Sequence, residues 1–250
     1  MLDPPWVSVR QLLLPAHCAA CGAPAPPLAR LPLCDRCGYA LAQLIAAPYC
    51  PRCGRHAGSS AIAEGQCLFC RQYPIRHDAT VRVGAYEEPL RSLILKCKHE
   101  RQPELAPLLG RLLGERLAIA PWGDLVDVVV PVPLHWSRRI RRGFNQADLV
   151  AQALVRACGR PVQRRHLRRI RPTPHQRDLD AKLRPRNVRG AFAPGYGTGR
   201  LTGKSVLLVD DVMTSGTTVA ECVRVLRSAG AKAVYVAVVA TADYDEPGMW

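Results

Sequence analysis

Four C-x-x-C pairs crowd the N-terminal part of this chain: Cys18/Cys21, Cys34/Cys37, Cys50/Cys53 and Cys67/Cys70, with 12, 12 and 13 residues between successive pairs. The same stretch is rich in Pro and Gly, so it has little apolar material for a core and needs a staple. A C-x-x-C knuckle lets two thiolates converge on one ion, and two knuckles about a dozen residues apart complete a tetrahedral shell. Eight thiolates therefore predict two structural zinc ions. Sequential pairing puts Cys18, Cys21, Cys34 and Cys37 on one ion and Cys50, Cys53, Cys67 and Cys70 on the other. An interleaved pairing uses the same ligands and stays open at this level. Iron–sulfur clusters or a redox dithiol are the competing uses, and the doubled spacing favours zinc.

The compartment bears on the thiols. Asp3 and the short Leu12-Leu13-Leu14 run do not make the basic-then-apolar order of a secretory leader, so a cytoplasmic protein is expected, with metal or free thiols in place of disulfides. The composition, 48% apolar and 22% charged over 250 residues, is that of a folded protein. No apolar run approaches the roughly 18 residues of a membrane span. Cys97, Cys158 and Cys222 stand singly on apolar helix faces and read as core.

From about Arg76 the pattern alternates strand and helix. Thr80 to Tyr86, Asp127 to Val132, Ser205 to Val209 and Ala233 to Ala240 read as strands. Leu90 to Lys98, Leu105 to Leu117 and Phe144 to Ala157 read as helices. A further helix with the apolar face Val219, Cys222, Val223 and Leu226 ends at Gly230. Continuous β-branched runs suit buried parallel strands, and repeated βαβ units predict a doubly wound α/β domain. The expected division is a zinc-binding unit at 1–75 and the α/β domain at 76–250.

Charge is concentrated inside the α/β part. Residues 134–190 hold 16 Lys and Arg against Asp148, Asp178 and Asp180, a surplus of +13 within a total of +15. Such a surface attracts phosphate-rich partners. Its centre, Arg171 to Arg189, carries three prolines and no periodicity, which predicts a long functional loop.

The most informative stretch runs from Val206 to Thr218, VLLVDDVMTSGTT. A buried strand ends in two carboxylates, and a loop of small hydroxyl residues then opens a helix. Helix N–H groups and hydroxyls make an anion cradle, and Gly216 permits close backbone approach. Asp210 and Asp211 would repel a phosphate, so they fit a ligand that also offers hydroxyls or magnesium-bound water. Gly203-Lys204-Ser205 is no Walker A loop, because Thr198 stands where its first glycine belongs and the segment precedes a strand.

At these residues the chain resembles the type I phosphoribosyltransferases. The resemblance implies that Asp210 and Asp211 hold the ribose of phosphoribosyl pyrophosphate (PRPP), and that Thr214, Ser215, Gly216, Thr217 and Thr218 hold its 5-phosphate. A narrower resemblance, to the ComF competence-type family, spans essentially the whole chain. It is carried by the paired knuckles, by Val130-Pro131-Val132-Pro133-Leu134 with Arg138 and Arg142-Gly143-Phe144-Asn145-Gln146, and by Arg171, Thr173, Gln176, Leu179, Arg184, Asn187 and Gly190-Ala191-Phe192. Ser215 and Thr217 depart from the usual Thr and Ala, and Cys97 interrupts the usual "LK-aromatic" around Lys96. The implied fold is a type I phosphoribosyltransferase-like doubly wound parallel sheet with an N-terminal double zinc ribbon.

The resemblance further implies PRPP with magnesium as ligand and a pyrophosphate site at Arg138 and Arg142, within an Arg-rich stretch suited to that charge. Transfer would be attack of a nitrogen or oxygen nucleophile on the anomeric carbon. The loop would close over it, with Arg171, Thr173, His175 and Gln176 as candidates and no evident general base. The competence link implies single-stranded DNA as a partner and a connection to DNA-import machinery, with Arg164, Arg165, Arg168 and Arg169 as the expected DNA contacts. Two functions are thus in view: a transferase of unknown acceptor, or a non-catalytic PRPP-responsive factor that binds single-stranded DNA.

Overall fold

In a computed structural model of the chain, the described residues are 17–26, 31–99, 102–158, 161–162, 164–173, 187–196 and 198–242. The zinc-binding segment contributes helix α1 (Asp35–Ala46), the two-residue strands β1 (Ile62–Ala63) and β2 (Gln66–Cys67), and helix α2 (Leu68–Gln72). The α/β part follows with β3 (Thr80–Ala85), α3 (Leu90–His99), α4 (Ala106–Ala118), β4 (Val128–Pro131), α5 (Trp136–Arg142) and α6 (Gln146–Cys158). A small hairpin-like pair, β5 (Leu167–Arg169) and β6 (Phe192–Pro194), precedes β7 (Ser205–Met213), α7 (Thr217–Ser228) and β8 (Ala233–Thr241).

The central sheet has the order β3-β8-β7-β4, and every pair is parallel. Strand residues alternate between two cores, as a pleat with period two requires. Val81, Val83, Val129, Leu207, Val209, Ala237 and Val239 face α3, α4 and α6. Val128, Val130, Val206, Leu208, Val234, Val236 and Val238 face α7, β5 and β6. Both faces are covered, which is why these strands are nearly continuous runs of valine and leucine. Such a sheet directs the C-terminal ends of β4 and β7 to one edge, where ligands bind in folds of this kind.

The first cysteine cluster is built into one of those cores. Cys18, Leu33, Cys37 and Leu41 belong to the same apolar cluster as Val81, Val83, Leu90 and Leu113. Contact is close enough that a Cβ at Gly84 would lie 2.9 Å from the Leu44 Cβ. Lys96 Nζ also donates to Ala19 O at 2.9 Å, which gives the segment broken by Cys97 a role in fixing the N-terminal unit. The second cysteine cluster has its own small core, joined by Ala57 and Ile75. Polar ties hold it to the sheet: Thr80 N donates to Pro51 O at 2.7 Å, Arg52 Nη1 to Asp78 O at 2.8 Å and Thr241 Oγ1 to Gly54 O at 3.0 Å. His77 is buried beside them with Nε2 at 2.9 Å from both Arg52 O and Thr80 Oγ1. Burial pushes its pKa down to about 4, so the ring is neutral near pH 7.

Most expected elements appear within a few residues of their predicted bounds, and two differences matter. The strand expected over Ser205 to Val209 runs on to Met213, so Asp210 and Asp211 are strand residues, with Asp210 opposite Val238 of β8. The stretch before the predicted Phe144 helix is itself helical, α5, and it ends at Gly143 in the left-handed region at φ 87°. Cys97 and Cys222 are buried as expected, while the Cys158 side chain lies outside the described residues. Among the described residues, no helix is long and apolar enough to cross a membrane.

Candidate ligand cleft and metal centres

Two groups of four sulfurs form in sequential order, Cys18, Cys21, Cys34 and Cys37 in one and Cys50, Cys53, Cys67 and Cys70 in the other, each within 4.8 Å. Sulfur separations are 3.7 Å for Cys21–Cys34, Cys50–Cys70 and Cys53–Cys67, and 3.8 Å for Cys67–Cys70. A tetrahedron with zinc–sulfur bonds of about 2.3 Å has edges of about 3.8 Å, whereas a disulfide needs about 2.05 Å. The donor set therefore fits zinc, and the pairing left open by spacing is the sequential one. All four donors in each group are cysteine sulfurs, so a zinc ion held there would be structural, with no open coordination position for chemistry.

The other site is a cleft of about 380 Å³ at the C-terminal ends of β4 and β7. Asp210 and Asp211 line it from β7, Arg138 and Arg142 from α5, Lys98 and His99 from α3, and Arg169 from β5. Thr214 and Thr218 reach it from the turn that opens α7. Gly216 caps that helix at φ 75°, a left-handed conformation that costs glycine little. Ser215 and Thr217 are buried behind the turn with their hydroxyl oxygens 3.2 Å apart, where they shape the loop.

The two acids differ sharply. Burial and the charge of Asp211 raise Asp210 to about 7. Burial also works against Asp211, but Lys98 Nζ lies 2.9 Å from its Oδ2 and holds its pKa below the ordinary value. Both carboxylates accept local N–H groups, Asp210 Oδ1 from Asp211 N at 2.9 Å and Asp211 Oδ1 from Val212 N at 2.7 Å. Burial first, and then the neighbouring Arg138, lower the pKa of both Arg142 and Arg169. The cleft thus concentrates more positive charge than its acids balance, an environment suited to a polyanion that also carries hydroxyls.

Supporting contacts set the arginines in place. Arg142 Nη1 donates to Gln146 Oε1 at 2.6 Å, and Asn145 Nδ2 donates to Val132 O at 3.0 Å, which ties the start of α6 to the end of β4. Arg138 donates to the Thr173 carbonyl and Arg169 to the Thr173 hydroxyl. Arg171 Nη2 donates to Asn187 O at 3.0 Å and Arg189 O at 2.8 Å, so it fastens the two ends of the long loop together. Of the loop candidates, Thr173 is buried beside the cleft arginines, while His175 and Gln176 lie outside the described residues.

The four arginines expected to contact DNA do not share one surface. Arg164, Arg165 and Arg168 are exposed, with Arg164 bonded to Asp148 at 2.5 Å and Arg168 to Pro194 O at 3.1 Å. Arg169 instead turns inward: alternation along β5 places it opposite Arg168, over the Phe192 ring at 5.3 Å and into the cleft. Arg169 therefore lines the cleft and does not share the exposed side of Arg168. Lys98 is a cleft residue that the sequence did not single out. Its signal was present, since Leu90, Leu93, Ile94 and Cys97 define the buried face of α3 and leave Lys98 at its border.

Comparison with known proteins agrees with this architecture. A double zinc ribbon domain matches residues 9–72 and a phosphoribosyl transferase domain matches residues 141–247. The chain is 39% identical over 184 residues to the DNA utilization protein YhgH of Salmonella typhi, covering 72% of this chain and 78% of that one. It is 35% identical over 185 residues to competence protein F of Haemophilus influenzae, covering 72% and 81%. It is also 34% identical over 135 residues to an amidophosphoribosyltransferase of Escherichia coli, covering 52% of this chain and 23% of the enzyme. With a parallel sheet of type I phosphoribosyltransferase kind behind two four-cysteine zinc sites, the chain belongs to the family of competence protein F and the DNA utilization protein YhgH.

Proposed function

We propose that the cleft binds PRPP with magnesium and that the protein serves a phosphoribosyltransferase-type step in the handling of DNA by the cell. The observation that carries this reading is the pair Asp210 and Asp211 at the end of β7, one raised to about 7 and the other ionised against Lys98, among the cleft arginines. Ionised Asp211 accepts a ribose hydroxyl, and Asp210 accepts the second once it is deprotonated. Thr214, Thr218 and the first N–H groups of α7 take the 5-phosphate. Arg138, Arg142 and Arg169 face the pyrophosphate, exchanging their bonds to Thr173 and Gln146 for phosphate oxygens. Bound magnesium supplies further charge neutralisation to the pyrophosphate.

Transfer to a nitrogen or oxygen acceptor would form the new bond at the anomeric carbon and release pyrophosphate. The names of the relatives, with competence and DNA utilization among them, support nucleic acid as the context of that step. The exposed Arg164, Arg165 and Arg168 favour the second reading, a PRPP-responsive factor that binds single-stranded DNA without transfer. Measuring pyrophosphate release from Mg-PRPP offered free bases or single-stranded DNA separates the two. Release above the rate without acceptor supports transfer, and PRPP binding with no release under any acceptor supports the non-catalytic factor.

A further inference from the structure

Helix α5 has two faces, and only one of them belongs to the cleft. Arg138 and Arg142, four residues apart, line the cleft. Trp136 and Ile140, also four apart, are 66% and 75% exposed. Residues at that spacing share one side of a helix, so α5 presents an indole and an isoleucine together to solvent. At about 100° per residue, Arg139 and Arg141 flank that stripe on either side. The His135 ring, itself buried, braces the indole with 5.4 Å between centroids.

An exposed indole and isoleucine side by side, flanked by arginines, suit an interaction site. A second copy of this chain is a poor occupant, because joining two such faces would bring Arg139 and Arg141 against their own counterparts in a protein of net charge +15. A strand that alternates flat aromatic bases with phosphates matches both the indole and the guanidinium groups beside it. A duplex keeps its base faces stacked on one another, so the matching form is single-stranded. The same pairing of exposed aromatic and arginine recurs at Tyr196, 95% exposed, with the Arg168 guanidinium 5.8 Å from its ring centre.

We propose that the outward face of α5 is a platform for single-stranded nucleic acid: one base stacks on Trp136 against Ile140, and Arg139 and Arg141 meet the adjoining phosphates. The proposal rests on the reading that this chain handles DNA. It adds the surface that does so and places it on the same two-turn helix whose other face lines the PRPP cleft.

The test is the affinity of the full chain for labelled oligothymidine, for a duplex of equal length and for heparin, by fluorescence polarisation at several salt concentrations. Trp136→Ala should weaken oligothymidine binding roughly tenfold, within the range of a single base–aromatic stack, and leave heparin binding and the salt slope unchanged. Trp136→Phe should recover most of the loss. Arg139→Ala with Arg141→Ala should flatten the salt slope, since phosphate contacts and not stacking release counterions. A retained thermal shift with Mg-PRPP shows that each variant is folded. Wild-type protein that fails to bind oligothymidine overturns this proposal together with the DNA reading. Wild-type binding that Trp136→Ala leaves intact overturns the platform alone, as does an equal loss of heparin binding. Dissociation of a dimer by Trp136→Ala, followed by size-exclusion chromatography, would also overturn it and make a second copy the occupant.

Discussion

Lys98 and Asp211 form an ion pair of 2.9 Å across the cleft, joining α3 to the end of β7. The ammonium decides which of two adjacent carboxyls is charged. With Lys98 beside it Asp211 ionises readily, and its charge then helps burial hold Asp210 back to about 7. In the proposed reading, binding of a ribose by this pair would depend on a residue far away in sequence.

Replacing Lys98 with Met removes that counter-charge and should raise the pKa of Asp211. PRPP affinity at pH 7 should fall about tenfold, the effect of ~1.4 kcal/mol, and the loss should shrink as pH rises to 8.5. Calorimetric titration at pH 6, 7 and 8.5 reads the profile. An affinity that falls equally at all three values would mean that Lys98 contacts the ligand and does not act through Asp211.

Asp210 also sets a pH dependence of stability. A carboxyl whose folded pKa lies above its unfolded value weakens the fold as pH climbs from that unfolded value, about 3.9, through the folded one. For Asp210 the window runs up to about 7, so the penalty is complete at pH 8 and nearly absent at pH 4. Asp210→Asn should raise the melting temperature of the ligand-free protein at pH 8 by about 2–4 °C, as ~1 kcal/mol gives a chain of this size, with little change at pH 4. A variant less stable than wild type at pH 8 would contradict the burial argument.

The two zinc sites should differ in what they support. Cys18 and Cys37 share an apolar cluster with Val81, Leu90 and Leu113, whereas the second site adds only a small core of its own. Cys18→Ser with Cys37→Ser should release one zinc per chain and lower the melting temperature of the α/β part. Cys53→Ser with Cys67→Ser should release one zinc with a smaller effect. Elemental analysis and calorimetry of both variants check this, and equal effects would show that the first ribbon does not support the sheet.

Much of this architecture is legible in the residues themselves. The four knuckles declare two metal shells because thiolate spacing is a local property. The strands of the sheet declare themselves because burial on both faces demands unbroken apolar runs such as Val206 to Val209. What stayed hidden depends on tertiary partners. Helix α5 reads as a charge block because its arginines mask a seven-residue helix whose exposed face is apolar. Arg169 looks like one more basic residue until the pairing of β5 with β6 turns it inward. The sequential pairing of the knuckles is likewise a matter of folding in space, since both pairings satisfy the spacing equally.

The most direct test of the central claim is the thermal shift given by Mg-PRPP in wild type and in Asp210→Asn with Asp211→Asn. At a ligand concentration near one hundred times Kd, mass action stabilises the native chain by about 2.7 kcal/mol, a rise of roughly 5–10 °C. The account predicts that rise in wild type and its disappearance in a double variant that remains folded and keeps both zinc ions. A double variant that keeps the full shift would show that the ribose is held elsewhere, and a wild type with no shift would show that the cleft does not bind PRPP.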